Sequence, residues 1–168
     1  MKLNKSTPII AAAVLLSGIA GLIPSASASD TTTQTVTFAV APINELSVSG
    51  NPGTLTVSTA IAGQAPQPVS ESTTSYAITT NEEGRKITGS INSPMPNGVI
   101  LGIQLAAPEG ASSTGKQALS PSAVDLVTGI SVTNEAGLPI TYELVATTAA
   151  GVVNTATKTV TLTITAGS

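Results

Sequence analysis

Cysteine and histidine are both absent from this chain of 168 residues. Without cysteine the protein forms no disulfides, so its stability must come from packing and hydrogen bonding. Without histidine it has no Ser-His-Asp or Cys-His nucleophile system, and the usual histidine or cysteine zinc sites are excluded. The catalytic groups that remain are carboxylates, lysine, tyrosine and serine.

Charged and aromatic side chains are scarce. Aromatic residues make up 2% of the chain, tryptophan is absent, and Lys and Arg together number six against nine Asp and Glu. Nucleic-acid binding needs clustered basic residues, so the sequence predicts no nucleic-acid partner. A core with so few aromatic residues must be built from Val, Ile, Leu and Ala, and we expect two sheets packed closely over a thin interior.

The first 28 residues have the features of a secretory signal peptide. Lys2 and Lys5 form a basic start, residues 9–23 are apolar apart from small residues, and the Ala-Ser-Ala sequence at 26–28 is a cleavage site. An uncleaved membrane anchor is the alternative, but the apolar run is shorter than the roughly 20 residues that a spanning helix needs. We therefore expect a mature chain that begins at Ser29, has no membrane span, and is secreted, at the cell surface or in a periplasm.

Cleavage would leave 140 residues with four basic and nine acidic side chains. This length is typical of one domain with a substantial core. Residues 29–40 are a polar, Thr-rich lead that ends in an alternating segment, and residues 41–168 are predicted to form the domain itself.

Apolar and polar residues alternate along several segments, as they do in half-buried β-strands. The last segment, residues 157–165, has threonine at every second position and Val160, Leu162 and Ile164 between the threonines. Residues 99–105 have the longest apolar alternation and predict a central core strand. The other predicted strands are residues 35–40, 43–49, 55–57, 72–80, 85–91 and 140–146, with a short crossover in 119–130 that leads into a further strand.

Turn residues separate these segments. The sequence Asn-Glu-Glu-Gly at 81–84 predicts a tight turn and makes residues 76–91 a β-hairpin. We expect a second turn at 134–139 and a hairpin loop at 149–156 before the last strand. Gly89 marks a bulge or a close backbone approach. Seven to nine short antiparallel strands without a long helix predict an all-β, immunoglobulin-like β-sandwich, with a closed barrel as the alternative.

Few residues are candidates for a catalytic or metal site. Glu82 and Glu83 lack the spacing of a calcium-binding loop and predict a solvated turn instead. A glycosidase needs two carboxylates across a sugar-sized cleft, and no pattern selects a pair. The acids available are Glu45, Glu71, Glu109, Asp125, Glu135 and Glu143. Tyr76 and Tyr142 are expected in the core, with their hydroxyls at its rim. The sequence predicts no enzyme, no cofactor and no metal.

The alternating segment at residues 35–40 can form two kinds of pairing. If it pairs within its own domain, the protein is a closed monomer. If it inserts into the sheet of a neighbouring subunit, the same hydrogen bonds and the same apolar side chains link subunits head to tail into a fibre. Val36, Phe38 and Val40 are the candidate assembly residues, and both pairings remain open at this point.

Three segments carry a resemblance to known proteins. Residues 75–81 read Ser-Tyr-Ala-Ile-Thr-Thr-Asn, residues 86–91 read Lys-Ile-Thr-Gly-Ser-Ile, and the strand at 99–105 follows. In these segments the chain resembles small secreted bacterial β-sandwich proteins and, more distantly, fimbrial and spore-coat-type subunits. The resemblance implies a non-catalytic structural or adhesive protein of the cell surface or extracellular matrix. The alternative is an extracellular module that binds a polysaccharide or a protein ligand through loops at one end of the sandwich, such as 60–69 and 107–117.

Overall fold

Residues 30–167 are described by a computed structural model. The chain divides into two units, residues 1–38 and 39–168, and all the strands described below belong to the second. The predicted signal peptide and its cleavage site lie outside the described residues.

Nine strands and one short 3-10 helix, Thr148–Ala150, form the described part of the domain. The strands are β1 (Asn44–Val48), β2 (Val69–Thr80), β3 (Arg85–Ile91), β4 (Val99–Leu105), β5 (Ser112–Ser113), β6 (Gln117–Ala118), β7 (Val124–Ile130), β8 (Thr133–Ala146) and β9 (Val160–Ala166).

The strands form two antiparallel sheets. The five-stranded sheet has the order β1-β2-β8-β4-β6, and the four-stranded sheet has the order β5-β7-β3-β9. Across the interior β1 contacts β9 and β4 contacts β7. The domain is therefore a two-sheet β-sandwich, in which the edge strands β1 and β9 lie on the same side.

The core confirms the predicted alternation. On β4, Leu101, Ile103 and Leu105 are buried. The apolar side chains of β9 pack against the core cluster, while Thr161 and Thr163 stay exposed. The buried hydrophobic residues are Tyr76, Ile78, Ile87, Ile91, Leu101, Ile103, Leu105, Leu119, Leu126, Val127, Ile130, Ile140 and Tyr142. The expected alanines are Ala107 and Ala111, which are partly buried and pack against this cluster.

Successive long strands lie in opposite sheets, and this overturns both predicted hairpins. β2 pairs with β1 and β8, whereas β3 pairs with β7 and β9. Residues 81–84 therefore carry the chain from one sheet to the other, and residues 149–156 lie on the crossing from β8 to β9. The alternation is the same in either arrangement, because each strand turns its apolar face to one shared core.

Three further predictions are corrected. Residues 134–139 lie inside β8 and do not form the predicted turn. Gly137, with φ of 74°, lies where the register between β2 and β8 shifts, and the strand continues there as a bulge. Residues 55–57 and 35–40 are in no strand of the described chain. The centre of the larger sheet is β8, which pairs with both β2 and β4, and β4 lies one place nearer the edge.

Gly89 lies where the two sheets leave no room for a side chain. A Cβ atom at this position would be 2.6 Å from Cδ1 of Leu126 and 3.3 Å from Cδ2 of Leu119. The prediction of a close backbone approach is wrong, because the atoms that leave no room are those of leucine side chains. The register between β3 and β7 also shifts beside it.

Candidate assembly site

The three predicted assembly residues are exposed to solvent. The side chains of Val36, Phe38 and Val40 have exposed fractions of 76%, 87% and 78%, and residues 31–43 belong to neither sheet. Apolar side chains of this size are normally buried, and here they recur at the two-residue spacing of a strand face. Residues 35–40 therefore have the pattern of a strand without the partner strand that would cover it.

Asn81 binds the residues that follow this segment in the chain. Its Oδ1 accepts a hydrogen bond from the Ile43 backbone N–H at 2.7 Å, and its Nδ2 donates to the Ala41 carbonyl at 2.9 Å. The backbone N–H of Asn81 also donates to the Ile43 carbonyl at 3.2 Å. Because Asn44 is paired with Thr80 at the adjoining position, these bonds extend the β1–β2 pairing and hold residues 41–43 in line with β1.

A groove of about 480 Å³ opens between the two edge strands β1 and β9. Leu46 and Val48 of β1 line one side, and Val160 and Leu162 of β9 line the other. The sandwich is therefore not closed along this side. The sequence carried no signal for the groove, because it arises from two strands that are more than 100 residues apart in the chain.

The groove reaches three residues of the interior. Ile140 and Tyr142 of β8 line it, together with Thr74 of β2, which is 5% exposed. The Thr74 hydroxyl is buried and has no hydrogen-bond partner. An unsatisfied buried polar group costs about 1–3 kcal/mol.

Four of the six acids considered for catalysis, Glu71, Asp125, Glu135 and Glu143, contact other groups of the protein through their carboxylates. Asp125 lies 3.1 Å from the Lys86 ammonium, and Glu143 pairs with Lys116. Glu135 accepts a hydrogen bond from the backbone N–H of Glu109 at 2.8 Å. These contacts give the acids structural roles in ion pairs and hydrogen bonds.

Two carboxyl groups have altered pKa values, and both are shifted in the direction opposite to that of a general acid. Hydrogen bonds from the side chain and backbone of Thr73 lower the pKa of Glu71, and hydrogen bonds from Asn44 and then Arg85 lower that of Glu82. A general acid working near neutral pH needs a raised carboxyl pKa. Among the described residues no group of three or more acids is placed to hold a metal ion.

Both tyrosines belong to the core, as predicted. Tyr76 is 1% exposed and its hydroxyl donates to the Ala106 carbonyl at 2.5 Å, while Tyr142 is 7% exposed. Burial, with a smaller effect of the Glu135 charge, raises the pKa of Tyr76, and burial followed by the Glu71 charge raises the pKa of Tyr142.

The two loops proposed for ligand binding lie at opposite ends of the sandwich. Residues 60–69 end at Val69, the first residue of β2. Val69 pairs with Leu144 of β8, and Leu144 pairs with Leu101 in the first half of β4. Residues 107–117 follow Leu105, at the other end of β4. The prediction that these loops form one binding surface is wrong, because β2 and β4 run parallel to each other on either side of β8.

Neither a protein-family model nor a curated protein matches the chain. In the part of the chain that the structure describes, no helix has the length and apolar character needed to cross a membrane. Function must therefore be inferred from the exposed segment and the groove.

Proposed function

We propose that the protein is an exported structural or adhesive protein of the cell surface or extracellular matrix, and that its subunits assemble into a fibre by strand exchange. Residues 35–40 are the exchanged strand. The observation that carries this proposal is the exposure of Val36, Phe38 and Val40 on a segment that belongs to neither sheet. Exposed apolar side chains at strand spacing favour pairing with another chain over remaining in water.

Further features of the sequence and of the fold support the proposal. The sequence contains no histidine and no cysteine, and its signal-like first 28 residues would direct export. The outer positions of β9 are threonines, which provide a hydrated surface with little charge. Connections that cross between two antiparallel sheets are also typical of immunoglobulin-like sandwiches, and we include that fold type in the proposal.

The test uses the mature chain, residues 29–168, with Val36→Asp and Phe38→Asp introduced together. We expect the unmodified chain to form filaments in negative-stain electron microscopy and large particles in light scattering. The double variant should remain monomeric, because a carboxylate cannot be buried without a partner in place of an apolar anchor.

The matched control is Thr35→Asp with Thr37→Asp, which adds the same charge to the other face of the same segment. It should retain assembly more fully than the apolar-face variant. A chain that begins at Ala41 should lose assembly altogether. Equal particle sizes for the unmodified chain, the double variant and the shortened chain would contradict the proposal.

A further inference from the structure

We infer that the groove between β1 and β9 receives residues 35–40 of a second copy of this chain, with the incoming strand paired to the free edge of β9. This inference rests on the proposed function, because it names the surface to which the exchanged strand binds.

The two strands that border the groove each have one unpaired edge among the described residues. β1 is paired only with β2, and β9 only with β3. Such an edge presents a row of backbone N–H and C=O groups that an added strand can pair with. β9 is the longer of the two, with seven residues against five, and residues 158–162 line the groove without interruption. We therefore assign the pairing to β9.

The interior of the groove calls for an occupant with apolar side chains. Ile140 and Tyr142 reach it from the core, and the Thr74 hydroxyl beside them is buried without a partner. Val48 of β1, which also lines the groove, is 53% exposed, and a strand that entered here would cover it.

Residues 35–40 match this groove in length and in chemistry. Val36 to Val40 spans four residue steps, or about 13 Å at roughly 3.3 Å per residue, which equals the span of residues 158–162. The segment carries no charge. Lys158, at the start of the lining stretch, already donates to the Ser93 hydroxyl and the Pro94 carbonyl, so it does not require an acidic occupant.

We assign the inserted strand to a second copy because of the bonds that hold the residues after it. Asn81 holds Ala41 and Ile43 in line with β1. Residues 35–40 precede this anchored stretch in the chain, whereas residues 46–48 and 50–52, which line the groove, follow it. A neighbouring molecule can supply the same segment with the bonds intact.

Disulfide trapping tests the assignment, since the chain contains no cysteine of its own. One sample carries Thr37→Cys, and the other carries Thr161→Cys on β9. They are mixed, allowed to assemble under reducing conditions and then oxidised. Paired neighbours lie about 4.5–5.5 Å apart between Cα atoms, within the roughly 7 Å limit for a disulfide, so we expect a covalent heterodimer.

Ser113→Cys on β5, at the far edge of the same sheet, is the matched control and should not cross-link. Thr159→Cys and Thr163→Cys report the register.

The outcomes separate this inference from the proposed function. Filaments that form without a cross-link at any of the three β9 positions, or with one at Ser113, would overturn the groove assignment and leave strand exchange standing. Absence of filaments and of cross-links would overturn both. A single chain that carries Thr37→Cys and Thr161→Cys should cross-link between molecules. An intramolecular disulfide that persists on dilution would show that the segment fills its own groove, contrary to the inference.

Discussion

Raising the pH above about 10 should destabilise the domain through its two buried tyrosines. Tyr76 and Tyr142 are the only tyrosines in the chain, and tryptophan is absent. Burial raises the pKa of both phenols in the folded protein above the value of 10.0 that they have when exposed. The Tyr76 hydroxyl also donates a hydrogen bond to the Ala106 carbonyl, which a phenolate cannot do.

The sign and size of the effect follow from proton linkage. Below about pH 10 both the folded and the unfolded state keep the phenol protons, and the free energy of unfolding is unaffected. Above it the unfolded state releases them first, so stability falls as the pH rises toward the folded pKa values. The loss approaches about 1.4 kcal/mol for Tyr76 at about pH 11, and Tyr142 adds to it in the same direction. That is a large part of the 5–15 kcal/mol typical of a domain.

Urea unfolding followed by circular dichroism at a series of pH values measures this loss, and phenolate absorbance reports the titration directly. Tyr76→Phe should reduce the pH-dependent loss and cost about 1 kcal/mol at neutral pH through the missing hydrogen bond. Tyr142→Phe should reduce the pH-dependent loss as well. Titration of both phenols near pH 10 with an unchanged circular dichroism spectrum would refute the reasoning.

Three further changes have defined outcomes. Gly89→Val should lower the free energy of unfolding by about 1–3 kcal/mol in urea, because the added methyl groups overlap a buried leucine; an unchanged midpoint would mean that the sheets separate easily. Asn81→Ala should speed hydrogen exchange at the Ile43 amide while global stability changes by only about 1–2 kcal/mol, and unchanged exchange would argue against its anchoring role. Lys86→Met should cost less than about 1 kcal/mol in thermal unfolding at low salt, because its ion pair with Asp125 is partly exposed, and the difference should shrink in high salt.

The fold class followed from the sequence because alternation is a property of the extended backbone itself. Successive side chains point to opposite faces of a strand, so threonine at every second position of β9 placed Val160, Leu162 and Ile164 on the inner face before any partner was known. The same rule identified β4 as a core strand and the tyrosines as core residues. Turn residues separated most of the strands, although Gly137 marked a bulge and not a turn.

Alternation could not identify the neighbours of each strand. The strands on either side of residues 81–84 bury their apolar faces equally well as a hairpin or on opposite sheets, because both arrangements share one core. The four-stranded sheet depends on contacts between β3, β7 and β9, which are distant in the chain. The pattern of residues within one segment cannot predict contacts with segments that are distant in the chain.

Residues 35–40 and β9 show the same limit within one molecule. Both alternate apolar side chains with threonine or alanine, and both have the sequence of a half-buried strand. β9 pairs with β3 and packs on the core, whereas Val36, Phe38 and Val40 are exposed. The sequence by itself determined which faces are fit to be buried, since that depends on one residue and its immediate neighbours. Only the tertiary structure decided which strands pair and where the groove between β1 and β9 lies. The edges of a sheet result from the packing of segments that are remote from one another in the chain.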